Sequence, residues 1–143
     1  MDAHLHAVAA IVAREMREHR MTDTTQLNEF GRALFKPGFF LGAMPLDATP
    51  PKAQGRAFYI KNTDPATEPG EHWVGVALEP GRKPLLFDSF GRRPTGRFMD
   101  GLQHMESTDP DVNQAEDSVI CGQLCLAWGL IFERHGRDVA KSI

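Results

Sequence analysis

Apolar residues recur at steps of three and four through residues 2–19, at Leu5, Val8, Ala9, Val12 and Met16, with no proline or glycine among them. That spacing gathers them on one stripe of an amphipathic helix facing a core. Thr22, Asp23, Thr24 and Thr25 then offer hydroxyl and carboxylate N-caps, and Leu27, Phe30 and Leu34 predict a second short helix ending before Lys36-Pro37-Gly38. From Phe39-Phe40-Leu41-Gly42 the chain reads as mostly extended and proline-rich. Between Pro45 and Gln54 lie three prolines and no periodicity, the pattern of a surface connection.

Strand signals follow. Ala57-Phe58-Tyr59-Ile60 is a short aromatic and β-branched run, residues 72–78 are a second and residues 84–88 a third, with turn clusters at 63–70 and at Glu79-Pro80-Gly81. The last two strands are expected to pair as a hairpin. Residues 95–105 are compatible with a helix and 106–113 read as a polar loop. Residues 122–134 predict a helix that is apolar on most sides and therefore central.

Composition narrows the class. A chain of 143 residues suits a single domain spanning 1–143, and 41% hydrophobic with 24% charged residues excludes wholesale disorder or a fibrous repeat. No run approaches the ~20 apolar residues of a membrane span. The N-terminus carries His4, His6, Arg14 and Glu15 rather than a secretory apolar region, so neither a membrane partner nor secretion is expected. A net charge of -3 gives no overall basic field for nucleic acid, although Arg92, Arg93 and Arg97 form a local basic cluster. The two cysteines, Cys121 and Cys125, are too close in sequence to staple distant parts of a fold and lack neighbouring paired ligands. Reduced thiols, with no metal and no cofactor, are the expectation.

Cys121 immediately precedes the apolar helix, in Ile120-Cys121-Gly122-Gln123-Leu124-Cys125. There the backbone N–H groups and the positive end of the helix dipole favour thiolate, the nucleophilic form. Gly122 leaves room for a substrate carbonyl to approach. His72 stands at a strand edge, where one ring nitrogen could face the thiol and the other a carboxylate, allowing it to act as base and then as acid. Asp88 closes the next strand of the hairpin, where it could share a face with His72, fix the imidazole tautomer and stabilise imidazolium. Gln114, seven residues before Cys121, could set its amide N–H beside the backbone N–H of Cys121 as an oxyanion hole. Trp73 could wall a narrow channel that admits only glycine or another small residue at the point of cleavage.

Each residue alone has a plainer role. Free cysteines are most often small buried hydrophobes, as Cys125 is read here. Strand-edge histidines and loop glutamines are usually structural or solvated, Asp-Ser-Phe-Gly is good turn chemistry, and an indole in a strand is commonly core. Trp128 is read as core, on the face of the last helix away from Cys121. Only in the joint order His72, Asp88, Gln114, Cys121 do they supply what acyl transfer through a thioester requires.

The segments Gly70-Glu71-His72-Trp73-Val74-Gly75-Val76-Ala77, Leu85-Leu86-Phe87-Asp88-Ser89-Phe90-Gly91, Gln114 and Cys121-Gly122-Gln123-Leu124-Cys125 together resemble the adenain-type cysteine proteases. These adenoviral endopeptidases belong to the clan of SUMO- and ubiquitin-like-protein proteases. Pro37-Gly38-Phe39-Phe40-Leu41-Gly42 is similar to an upstream adenain segment, and the likeness covers roughly residues 36–135. It implies an α+β, papain-like, circularly rearranged fold, with a small mixed or antiparallel sheet packed on a central helix that carries the cysteine at its N-terminus. It also implies His72, Asp88 and Cys121 as catalytic residues, Gln114 and Cys121 as the oxyanion hole, and Trp73 and Gly122 at the substrate. Asp88 stands where adenoviral members commonly carry glutamate, a change that also occurs in the SUMO branch.

The expected activity is therefore a viral endopeptidase that cleaves precursor structural proteins after small residues such as glycine during virion maturation. It would act as a monomer in the host nucleus or cytoplasm and in the virion. Adenoviral members are stimulated by a disulfide-linked peptide and by DNA. The acidic balance here, and the lack of a counterpart for the cysteine that receives that peptide, count against both activators. Two alternatives remain: a ubiquitin-like-protein deconjugase acting on host proteins, and an inactive binding or virion component of the same fold.

Overall fold

The computed structural model describes residues 5, 7, 8, 10, 24–63, 72–89, 105–108 and 121–143, with Cys121 as backbone only. The apolar runs become strands β1 (Phe40–Met44), β2 (Ala57–Asn62), β3 (Trp73–Leu78) and β4 (Leu85–Phe87), joined at one edge by the short β5 (Glu106–Ser107). They lie side by side in chain order. The β1–β2 and β4–β5 pairs are parallel, and β2–β3 and β3–β4 are antiparallel. Helices α1 (Thr24–Leu34), α2 (Cys121–His135) and α3 (Arg137–Lys141) complete the described elements. A five-stranded mixed sheet with helices is compatible with the expected α+β class.

Side-chain alternation sorts the sheet into two faces. Phe58, Ile60, Trp73, Ala77, Leu85 and Phe87 join the main core with α2, while Tyr59, Val74, Val76, Leu86 and Met44 form a smaller cluster on the other face. β2 is buried throughout, as is β3 apart from Leu78. That is why they read as continuous apolar runs rather than as alternating strands. Leu46 and Ala48 of the β1–β2 connection pack on the smaller cluster. Lys61 pins that connection from below, its Nζ donating to the carbonyls of Leu46 at 2.8 Å and Ala48 at 2.7 Å. Burial pushes the Lys61 pKa down, with Asp47 acting the other way.

Two glycines set how closely α2 lies on the sheet. A Cβ at Gly129 would stand 2.5 Å from Cε2 of Phe58, and one at Gly75 would stand 3.0 Å from Cε1 of Phe58 and 3.3 Å from Cε3 of Trp128. The Phe58 ring therefore fills the space both positions leave open. Trp128 stacks on Phe87 at 5.2 Å between ring centroids, and its Nε1 donates to the Ala140 carbonyl at 3.0 Å, which ties α3 to α2. Contacts between α2 and β3 follow one order: the Cys125 thiol donates to the Trp73 carbonyl at 3.4 Å, and Trp128 abuts Gly75. The helix thus runs in the same direction as β3, with its N-terminus at the end where His72 stands.

Several expectations need correction. The extended stretch after Phe39 is a true strand, disguised by a register irregularity between Phe40 and Gly42 and by Gly42 at φ 124°. Its outer edge meets the side chain of Asn28, which accepts from the Ala43 N–H at 2.8 Å and donates to the Ala43 carbonyl at 3.2 Å. Glu106 and Ser107, expected in a loop, pair with β4, but two residues are too few to show a period. The predicted helix over 95–105 lies outside the described residues except for Met105, which is not helical. The last helix reaches His135, where Gly136 at φ 86° separates it from α3. Trp128 is fully buried, but seven residues after Cys121 it returns to within about 20° of the same side of the helix, two turns along, rather than to the opposite face. Of the N-terminal stretch, Leu5, Ala7, Val8 and Ala10 are described and helical, with Leu5 in the main core.

Gly129→Ala tests the close approach. Alanine raises helix propensity by about 1 kcal/mol, yet the clash with the buried Phe58 ring should reverse this and destabilise by about 1–3 kcal/mol in urea unfolding. A neutral or stabilising result would show that α2 can retreat at no cost.

A second test concerns β5. Arg137 is 4% exposed and its Nη2 donates to Oε2 of Glu106 at 3.1 Å, while Nε and Nη1 have no hydrogen-bond partner among the described residues. That hydrogen bond holds the Glu106 carboxyl below its ordinary value; desolvation opposes it, and Arg137, Lys141 and Lys83 add attraction. A carboxyl depressed on folding contributes stability above its unfolded pKa and loses it as pH falls through the lower folded value. Glu106→Gln should therefore lower stability at neutral pH and flatten its decline in acid, read from urea midpoints across pH 2–7; an unchanged acid limb would dismiss the linkage.

Candidate active site

His72 immediately precedes β3 and Asp88 immediately follows β4. The hairpin register pairs Gly75 with Phe87, so one step further Asp88 falls opposite Val74 and His72 lies two positions beyond, on the diagonal. Diagonal neighbours on one face stand ~7–8 Å apart at the backbone, a span that an imidazole and a carboxylate can bridge. They do so: Nε2 of His72 and Oδ1 of Asp88 are 2.7 Å apart, and the residues are 5% and 7% exposed. The expected sharing of one face therefore holds. The Thr63 N–H donates to the His72 carbonyl at 2.8 Å, so the ladder fixes the backbone of His72.

A buried carboxylate accepts and cannot donate when ionised, so at this distance the neutral imidazole carries its proton on Nε2 and its lone pair on Nδ1. The pair is an acid–base unit, and the carboxylate stabilises the imidazolium that forms when Nδ1 takes a proton.

The first turn of α2 comes to the same end of the sheet. Cys125 meets the Trp73 carbonyl, and Cys121 lies one helical turn earlier, about 6 Å nearer the N-terminus along the axis. The backbone of Cys121 therefore lies toward the His72 end of β3, where the N–H groups of the first described turn have no helical acceptor among the described residues. Gly122 and Cys125 are buried. The side chain of Cys121 and all of Gln114 lie outside the described residues, as does the cluster Arg92, Arg93 and Arg97. Trp73 is 4% exposed and belongs to the main core, which favours its packing role over that of a channel wall.

Buried polar residues mark this end more broadly. Among the described residues they are Lys61, Asn62, His72, Asp88, Ser89, Gln123 and Arg137. All but Arg137 stand at the end of β2, the start of β3, the end of β4 or the first turn of α2. Apart from Arg137 the described core is apolar elsewhere, so most of the cost of burying hydrogen-bonding groups falls at this end. Sequence reasoning missed Asn62, Ser89 and Gln123. Only the position of Ser89 beside Asp88 and of Gln123 beside Gly122 could have suggested two of them, and nothing suggested Asn62.

No protein-family model matches the chain, and no curated protein is significantly similar to it. Among the described residues no group of His, Cys, Asp and Glu could hold a metal ion, and no helix is long and apolar enough to cross a membrane.

The tautomer is directly measurable. Long-range ¹H–¹⁵N correlation spectra of the neutral His72 ring should show a protonated Nε2 and an unprotonated Nδ1; the reverse pattern would remove Nδ1 as a base.

Proposed function

We propose that this chain is a cysteine endopeptidase with a papain-like fold of the adenain type. The observation that carries the reading is the buried His72–Asp88 pair, 2.7 Å apart, at the sheet end toward which α2 directs its first turn, headed by Cys121. The mixed sheet on a central helix and the clustering of buried polar residues there support it.

In this reading Nδ1 of His72 takes the thiol proton of Cys121, and the thiolate attacks the carbonyl carbon of the scissile peptide. The backbone N–H of Cys121 and the Gln114 amide hold the oxyanion, while Gly122 leaves room for the acyl group. Collapse expels the amine, which leaves with the proton from the imidazolium, and a thioester remains. Water, deprotonated by His72, then releases the acid and restores the thiol. Asp88 keeps the ring in its tautomer throughout and offsets its positive charge. General acid–base catalysis of this kind contributes roughly 10²–10⁴-fold. By resemblance, the substrates are precursors of virion structural proteins, cut after a small residue such as glycine in the host cell or the virion.

Cys125 is fully buried, so slow alkylation there would say nothing about activation of Cys121. The informative comparison is with His72→Ala. Iodoacetamide should modify Cys121 of the native chain well below the pH at which a free cysteine reacts, and His72→Ala should slow that reaction about tenfold or more. Cys121→Ser should abolish cleavage of a peptide library while the chain stays folded. Equal alkylation rates with and without His72, or turnover that survives Cys121→Ser, would sink the assignment.

A further inference from the structure

Resting on the reading above, we infer that Asn62 is a positioning residue that holds the first turn of α2 level with His72. Asn62 is the last residue of β2 and is paired with Trp73. The bond from Thr63 N–H to the His72 carbonyl makes 63 and 72 a hydrogen-bonded pair, so 62 and 73 form the adjacent non-hydrogen-bonded pair, in which side chains stand closest. Phe58 and Ile60, which share the alternation of Asn62, face α2 in the main core. Asn62 therefore projects from that same face. It lies at the level where the Cys125 thiol meets the Trp73 carbonyl, one turn from Cys121.

Asn62 is 4% exposed on a face whose other side chains are apolar. A leucine would fit that setting without the cost of burying an amide. A primary amide there offers two donors and an acceptor at the place where the first N–H groups of α2 have no helical acceptor among the described residues. It joins the strand next to His72 to the helix end that carries Cys121. Asn62 thus acts through the placement of Cys121 and not on the substrate.

The test uses the full chain with two variants, Asn62→Leu and Asn62→Asp, read by iodoacetamide alkylation of Cys121 from pH 4 to 9 alongside thermal unfolding. Asn62→Leu, which keeps the size but removes the polar group, should slow alkylation at neutral pH about tenfold. Asn62→Asp keeps the shape and places negative charge near the helix N-terminus, so it disfavours thiolate and should move the acid limb to higher pH. That second variant also serves if Asn62→Leu fails to fold. A structural role alone would lower the unfolding midpoint without moving the pH profile. If the profile responds to His72→Ala but is unmoved by both Asn62 variants, this inference falls and the protease reading stands. If the native profile does not respond to His72→Ala, both fall together.

Discussion

The contact on which the rest of the structure depends is the Phe58 ring held between Gly75 of β3 and Gly129 of α2. Both glycines lack the Cβ that would strike the ring, so at this point the Phe58 ring alone fills the space between helix and sheet. A helix seated that closely has little freedom to slide, because ring atoms interlock with the backbone on both sides. Aromatic packing extends the lock: Trp128 stacks on Phe87, and Phe132 lies beyond Trp128 along the helix. Arg56 secures the far end, lying 4.5 Å over the Phe132 ring and donating to the Phe132 carbonyl. With its direction fixed parallel to β3, α2 has only one end at which its first turn can emerge.

That end is also where the sheet changes character. Through most of their length β2 and β3 are buried on both faces and carry apolar side chains, but β2 ends in Asn62, His72 immediately precedes β3, and β4 runs out into Asp88 and Ser89. Burying such groups is unfavourable unless they are bonded, and the His72–Asp88 contact shows one way the cost is met. Because the two residues flank a hairpin whose register is set by Gly75–Phe87, Val76–Leu86 and Ala77–Leu85, their relation follows from strand pairing and not from loop conformation. A shift of one residue in that register would carry Asp88 to the opposite face. The apolar register and the polar pair are therefore one constraint.

The legible parts of this fold were those with a long or distinctive pattern. The helix begun by Cys121, the run around Phe58 and the two hairpin strands were all visible, because burial on both faces leaves an unbroken apolar signal. Placing His72 and Asp88 on one face required only period-two counting from the hairpin. β1 was obscured by Gly42, whose positive φ goes with a break in register, and β5 by its length. Neither reveals itself in side chains, since both are defined by backbone bonds to neighbours distant in sequence. Trp128 was misplaced for a different reason: seven positions make nearly two whole turns, so the spacing itself should have put it on the side of Cys121. Asn62 could not have been found, because Lys61-Asn62-Thr63 looks like any polar strand end until its burial is known.

Lys61 and Asn62 show how one strand end can serve two ends at once. They are adjacent and both buried, and strand alternation turns them to opposite faces. Lys61 faces the smaller cluster and spends its donors on the carbonyls of Leu46 and Ala48, stabilising the connection that brings the chain from β1 into β2. Asn62 faces α2, at the level of Trp73. Because Lys61 anchors the connection on one side, the end of β2 has little freedom to twist, and the amide on the other side is presented to the helix from a fixed backbone. A lysine pinned to backbone carbonyls by short hydrogen bonds is costly to release, since withdrawal would leave two acceptors and a charge to be satisfied elsewhere. The rigidity of the α2-facing end of β2 therefore originates on the opposite face of the sheet, where Lys61 is anchored.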